Sequence, residues 1–212
     1  MGRLPRGRAA WVMLALRGLS AWVVLVALGY VAGPALTELL LPAYEAVTEL
    51  LLSDFSARLS VAEIEGIRHI RLNAVVTHEF ALTERVTVPV GREVPASITV
   101  LHSMVPAVIL LTAVLAWPAA SLARFALRLA AALVAVVLTL SVINPIHLVG
   151  NLERGVQSAI LQLGGERDTP LLLKSMLFME GGGRWVLPLV AGVLCVLATE
   201  PRRAHGRPPV AP

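Results

Sequence analysis

Residues 94–152 read VPASITVLHSMVPAVILLTAVLAWPAASLA, then RFALR, then LAAALVAVVLTLSVINPIHLVGNL, and this stretch decides the fold. Two uncharged runs, 94–123 and 129–152, are separated only by the segment that carries Arg124 and Arg128. Crossing the hydrocarbon core of a bilayer takes about 20 mainly apolar residues, and both runs exceed that length. So few residues separate them that the chain must cross, turn and return at once. Short loops rich in Arg and Lys stay in the cytoplasm, and the Arg124–Arg128 turn has no acid beside it. The hairpin therefore assigns a side to every other segment.

Composition agrees with this reading. The 212 residues are 57% hydrophobic and 15% charged, against about 45–50% and 25% in soluble domains. The formal charge of +4 does not indicate nucleic acid, because the arginines flank apolar runs and form no basic patch interleaved with aromatics. Cys195 is the single cysteine, which excludes an intrachain disulfide and a cysteine metal cluster.

The fold class expected is an α-helical membrane protein with four transmembrane helices and both termini cytoplasmic. Its first outer loop carries an amphipathic helix and a small antiparallel β segment. A basic N-terminus, 1–17, precedes a first crossing at 18–37, GLSAWVVLVALGYVAGPALT, read as an uncleaved anchor. Gly29 and Gly33 form a GxxxG pair, which lets a second helix approach closely. In 38–55, Glu38, Glu45 and Glu49 share one helical face, with leucines on the others. That is the pattern of an interfacial helix, or equally of the crossing continued outward; Pro42 and Tyr44 suggest a break between the two.

From 56 to 97 the period changes to two, with even positions apolar in IRLNAVVT at 70–77 and in ERVTVPV at 84–90. This is the signature of two or three half-buried strands. Gly91 and Arg92 mark a turn, and Pro95 bounds the sheet. So small a sheet needs something to pack against: the membrane surface, the amphipathic helix or a partner.

The second crossing is placed at 98–118, the cytoplasmic turn at 119–128 and the third crossing at 129–149, with a kink expected at Pro145. An outer helical segment follows at 150–180, with a helix end at LQLGG, 161–165, and a short interfacial or re-entrant helix after Pro170. The fourth crossing, 181–199, borrows Gly181–Gly183 for length, with Arg184 snorkelling outward. The tail, 200–212, is Pro- and Arg-rich and expected to be disordered. Inner segments hold nine arginines and Glu200. The first outer loop holds five basic and nine acidic residues, and the second four of each. These balances of +8, −4 and zero account for the total charge and fit four crossings with both termini inside.

No cofactor is indicated, and the chain lacks a phosphate loop, a serine elbow and an HExxH, so an enzyme is not expected. A candidate polar pocket lies at the outer ends of the second and third crossings: His102, with Ser141, Asn144, His147 and Asn151 along one stripe. Such a set can bind a metal, a proton or a headgroup, but near the interface hydrogen bonding between helices outweighs a ligand site. His69 and His78, on strands of opposite parity, read as surface residues. Cys195, deep in the last crossing, reads as packing, without the electropositive setting of a reactive thiol.

The order of parts resembles the multi-spanning proteins associated with exosortase H. A first span leads to a Leu-rich amphipathic stretch (36–52), strand-like residues (70–90), a tight Arg-bearing hairpin, and an outer Leu/Lys/Phe segment (171–178) before the last span. The resemblance implies a non-enzymatic accessory or scaffold of the bacterial inner membrane. Its partners would be membrane lipids and an exosortase-like protease or the exported proteins it sorts. The competing reading is a small-molecule or lipid handler that uses the polar pocket. A phosphatase reporter that needs export should be inactive when fused after Arg124 and active when fused after Gly165. The opposite pattern would overturn the assignment of sides.

Overall fold

The structure, a computed structural model, describes residues 7–83 and 86–200. Arg3, Arg6, Arg202, Arg203 and Arg207 of the charge argument, Glu84 and Arg85, and the tail 201–212 lie outside the described residues. The chain is mostly helical with a small sheet: α1 Arg8–Leu51, strands β1 Phe55–Ile64, β2 Ile67–Val76, β3 Phe80–Thr83, β4 Val86–Val88 and β5 Glu93–Thr99, then α2 Val100–Ala116, α3 Leu122–Gln162, α4 Leu171–Phe178, a π turn Met179–Gly183 and α5 Arg184–Thr199.

Three helical stretches are long and apolar enough to cross a membrane: Arg8–Leu51, Leu122–Gln162 and Leu171–Thr199. The 17 residues of α2 rise about 25 Å at 1.5 Å each, short of a hydrocarbon core of about 30 Å. Large apolar side chains stand exposed along these helices, among them Trp11, Leu19, Val24, Leu138, Val142, Val193 and Leu197. A water-exposed monomer rarely shows so much contiguous apolar surface, so a membrane helical protein is the class that fits.

Several expected boundaries move. The first crossing and the amphipathic stretch are one helix, unbroken at Pro34 and Pro42. A proline removes one helical hydrogen bond, but packing on both sides of Pro42 holds the helix: Leu40, Tyr44 and Thr48 are all buried. The second crossing does not begin at 98. Residues 93–99 are β5, paired with β2 from His69↔Thr99 to Val75↔Glu93. An uncharged run does not distinguish helix from strand, and Pro95 is tolerated because β5 is an edge strand. The expected turn at 119–128 shrinks, since α3 starts at Leu122 with the Ser121 hydroxyl accepting from the Arg124 N–H at 3.3 Å. At its other end α3 continues through Pro145 and past 149 to Gln162, absorbing the first part of the expected outer segment. The glycines before α5 form the π turn, with Gly182 at φ 137°, where the chain changes direction.

The main sheet has the order β1-β2-β5, all antiparallel, and β3-β4 form a separate ribbon. Along β2 the even positions Ile70, Leu72, Ala74 and Val76 are buried, with Ala57 of β1 and Ile98 of β5. Fully burying an Ile or Leu side chain contributes about 1.5–3 kcal/mol, so this face fastens the sheet to the helices. Both sheet edges are held by the chain itself. Glu45 of α1 accepts the Leu59 N–H of β1 at 2.9 Å, and Asn151 of α3 donates to the Ser97 carbonyl of β5 at 3.3 Å. The sheet thus packs on α1 and α3 through this buried face.

The other end of the bundle is tied by Arg128, 2% exposed. It donates to the Trp117 carbonyl at 2.9 Å and to the Thr199 hydroxyl at 3.4 Å. A Cβ on Gly18 would lie 3.6 Å from Ala116, so the start of α1, the α2–α3 turn and the end of α5 share one end. That places four helices side by side in alternating directions.

Replacing Glu45 by Ala leaves the Leu59 N–H unpaired and should cost about 1–3 kcal/mol. Glu45→Gln, which keeps an acceptor, should cost less than half as much. Hydrogen exchange at the Leu59 amide, followed with thermal unfolding, measures this; equal exchange in both variants would contradict the role given to Glu45.

Candidate functional site

The strand β5 runs directly into α2, and Thr99 belongs to both. It pairs with His69 in the sheet, and its hydroxyl accepts the His102 N–H at 3.3 Å as the helix N-cap. This fixes His102 in the first turn of α2, facing α3. There the His102 and His147 rings meet edge to face, centroids 5.8 Å apart and planes at 86°. Arg184, first residue of α5, sets its guanidinium against the His102 ring, with Nη1 3.2 Å from Nδ1 and in contact with Nε2. Its Cζ also lies 5.5 Å from the Trp185 ring centroid. Beyond it, Arg154 of α3 pairs with Glu180 of the π turn at 2.7 Å.

Two features set the chemistry. His147 is 3% exposed and its Nε2 has no hydrogen-bond partner among the described residues; the buried Nε of Arg184 has none either. Arg184 also has no carboxylate within ion-pair distance among the described residues, because Glu180 is taken by Arg154. A neutral imidazole offers one donor and one acceptor, and an arginine can use only the acceptor. The His102 ring thus meets the guanidinium only as an acceptor and brings it no negative charge, and an anionic oxygen is the complement of the guanidinium donors. A guanidinium in the middle opposes a metal cation, and among the described residues no three His, Cys, Asp or Glu side chains gather as ligands.

The five residues expected to form one pocket separate. His102 and His147 come together, whereas Asn144 donates to the Tyr44 hydroxyl at 3.0 Å and Asn151 is committed to β5. The Ser141 hydroxyl is buried without a partner among the described residues. Ten residues of helix span about 15 Å, so a stripe from 141 to 151 meets three different neighbours. Sequence reasoning missed Arg184 as a member of the site, together with Glu180, whereas Arg154 falls on the outward extension of the Ser141–Asn151 stripe. Only the cation at the head of a short apolar run signalled it, and that was equally a topology signal.

The remaining expected residues fall elsewhere. Gly29 and Gly33 lie at the α1–α2 contact, where an added Cβ would come 3.9 Å from Met104 and Val108 and 3.2 Å from Met104, respectively. Cys195 lies eleven residues beyond Arg184 on the sequence, about 16 Å along α5, towards the Arg128 end. His69 is on β2, its Nδ1 buried without a partner among the described residues. His78 lies in a bend after β2, not on a strand, beside the Thr77 hydroxyl at 3.1 Å.

Tyr44 and Asn144 are 0% and 1% exposed, so their hydrogen bond has no water to replace it. Tyr44→Phe should destabilise by about 1–3 kcal/mol. Adding Asn144→Leu should recover part of that loss, giving a coupling energy of at least about 0.5 kcal/mol. Additive effects in thermal or denaturant unfolding would contradict the contact.

The chain matches no protein-family model, no curated protein and no solved structure.

Proposed function

We propose that this protein is a non-enzymatic accessory of a bacterial inner membrane that captures an anionic group at its outer surface. The observation that carries the reading is Arg184, a half-buried cation grouped with two imidazoles and lacking a carboxylate partner among the described residues. Removing such a cation from water is costly unless an opposite charge meets it. A carboxylate or phosphate oxygen at the half-buried Arg184 guanidinium would supply that opposite charge.

In this proposal α1, α2, α3 and α5 are four crossings, with both termini and the α2–α3 turn, next to Arg124, cytoplasmic. The shared end of the α1 start, the α2–α3 turn and the α5 end supports the even number. The charge balance of inner and outer segments supports the direction. The order of parts shared with exosortase-associated proteins supports an accessory role, in which the captured group belongs to an exported or membrane-bound partner.

Inorganic phosphate and acetate, titrated into detergent-purified protein at constant ionic strength, should raise its thermal midpoint with the logarithm of ligand concentration once that exceeds Kd. At 100 times Kd the stabilisation is about 2.7 kcal/mol. Arg184→Gln should weaken the apparent affinity at least about tenfold, since bonds to a charged partner contribute about 1.5–3 kcal/mol. An equal response to chloride, or an unchanged response in Arg184→Gln, would overturn the reading.

A further inference from the structure

A cavity lies beside the apolar run of α1, and none of His102, His147 or Arg184 lines it. The β1–β2 hairpin leaves the end of α1 and runs back beside it. Ten residues of β1 cover about 33 Å, as much as about twenty-two residues of helix. The hairpin tip therefore reaches the level of Gly29–Pro34, inside the apolar run of α1. There a cavity of about 480 Å³ opens between Tyr30 and Pro34 of α1, Ile67 and Arg68 of β2, Glu63 of β1 and Leu101 of α2.

The composition of this tip is unlike that of a water-facing turn. Glu65 and Gly66 make the reversal, at φ 53° and 77°, and are flanked by Ile64 and Ile67, 38% and 54% exposed. Tyr30, 75% exposed, and Leu101, 50% exposed, border the same opening. Apolar side chains with charged neighbours are the pattern of a segment seated at the boundary of headgroups and acyl chains. At the rim, Glu63 and Arg68 face each other directly across the hairpin, yet among the described residues neither forms an ion pair.

We propose that this cavity is a binding site for one zwitterionic phospholipid of the outer leaflet, with an amine-bearing headgroup. Arg68 takes the phosphate and Glu63 the ammonium, while Tyr30, Pro34, Ile67 and Leu101 line the upper acyl chain. Charge complementarity selects this occupant: a paired anion and cation at the rim match a headgroup carrying both signs, and the apolar walls match its chains. A purely anionic lipid would set its phosphate beside Glu63 with no ammonium to offset it.

The test is native mass spectrometry of the full chain released from mixed micelles of equimolar phosphatidylethanolamine and phosphatidylglycerol. The wild type should retain one phosphatidylethanolamine with at least fivefold preference. Arg68→Gln and Glu63→Gln should each reduce that preference below twofold, while Arg71→Gln, on the same strand and hydrogen-bonded to Asn73, should leave it unchanged. Circular dichroism and thermal unfolding would establish that the variants remain folded. Equal retention of the two lipids by the wild type overturns the proposal, and so does preference surviving in both rim variants. Displacement by soluble glycerophosphoethanolamine at concentrations similar to the lipid would also overturn it, by removing the acyl contribution.

Discussion

The hydrogen bond from Asn151 to the Ser97 carbonyl constrains much of what lies around it. It satisfies one carbonyl on an open edge of a small sheet, where unpaired carbonyls would otherwise face either apolar surroundings or another chain. It also fixes β5 against α3. Because β5 passes into α2 without a loop, clamping Ser97 sets the position of Thr99, and Thr99 caps the turn that carries His102. His147 lies one helical turn from Asn151 on α3, so neighbouring turns of one helix hold both the strand and the imidazole that follows it. The sheet is thus the device that aims the start of α2 into the site.

The far end of the bundle depends on a different kind of contact. Arg128 lies almost wholly out of solvent, which is unusual for arginine and requires that its donors be used. It donates to the carbonyl that ends α2 and to a hydroxyl in the last turn of α5. A helix C-terminus carries partial negative charge, so the cation neutralises the end of α2 while binding three helices together. Trp117 adds a bond from its indole N–H to Glu200 at 3.2 Å. One residue therefore satisfies two demands: neutralising the end of α2, and closure of the bundle.

Some of this was legible in the sequence, and the rest failed for definite reasons. The parity of β2 was readable because alternation at 70–76 has only one interpretation when the even residues are all apolar. The tight reversal was readable because charge interrupts the apolar runs so rarely, although Arg124 and Arg128 lie in the first turns of α3 and not in the turn itself. The boundary at 93–99 was not, since a stretch with no charge fits a crossing helix as well as an edge strand. Pro42 suggested a break that packing of Leu40, Tyr44 and Thr48 overrides. The polar stripe of α3 was visible as a stripe, but whether its members meet a ligand or a neighbour depends on what stands opposite each turn. Asn144 found Tyr44, a hundred residues earlier, and no spacing rule anticipates such a pairing.

The lengths of α2 and α5 bear on what the Arg184 cluster can do. With 17 and 16 residues, each rises about 25 Å, whereas α1 and α3 are more than twice as long. In the proposed four-span arrangement the short pair sets the apolar thickness of the bundle, because a helix shorter than the core thins the bilayer locally or draws flanking residues to its surface. His102 opens α2 and Arg184 opens α5, so both polar heads fall where that thinned region meets headgroups and water. Arg184 there is half-buried and without a carboxylate partner among the described residues. It remains accessible to an anion arriving from the outer side, as a fully buried arginine such as Arg128 does not.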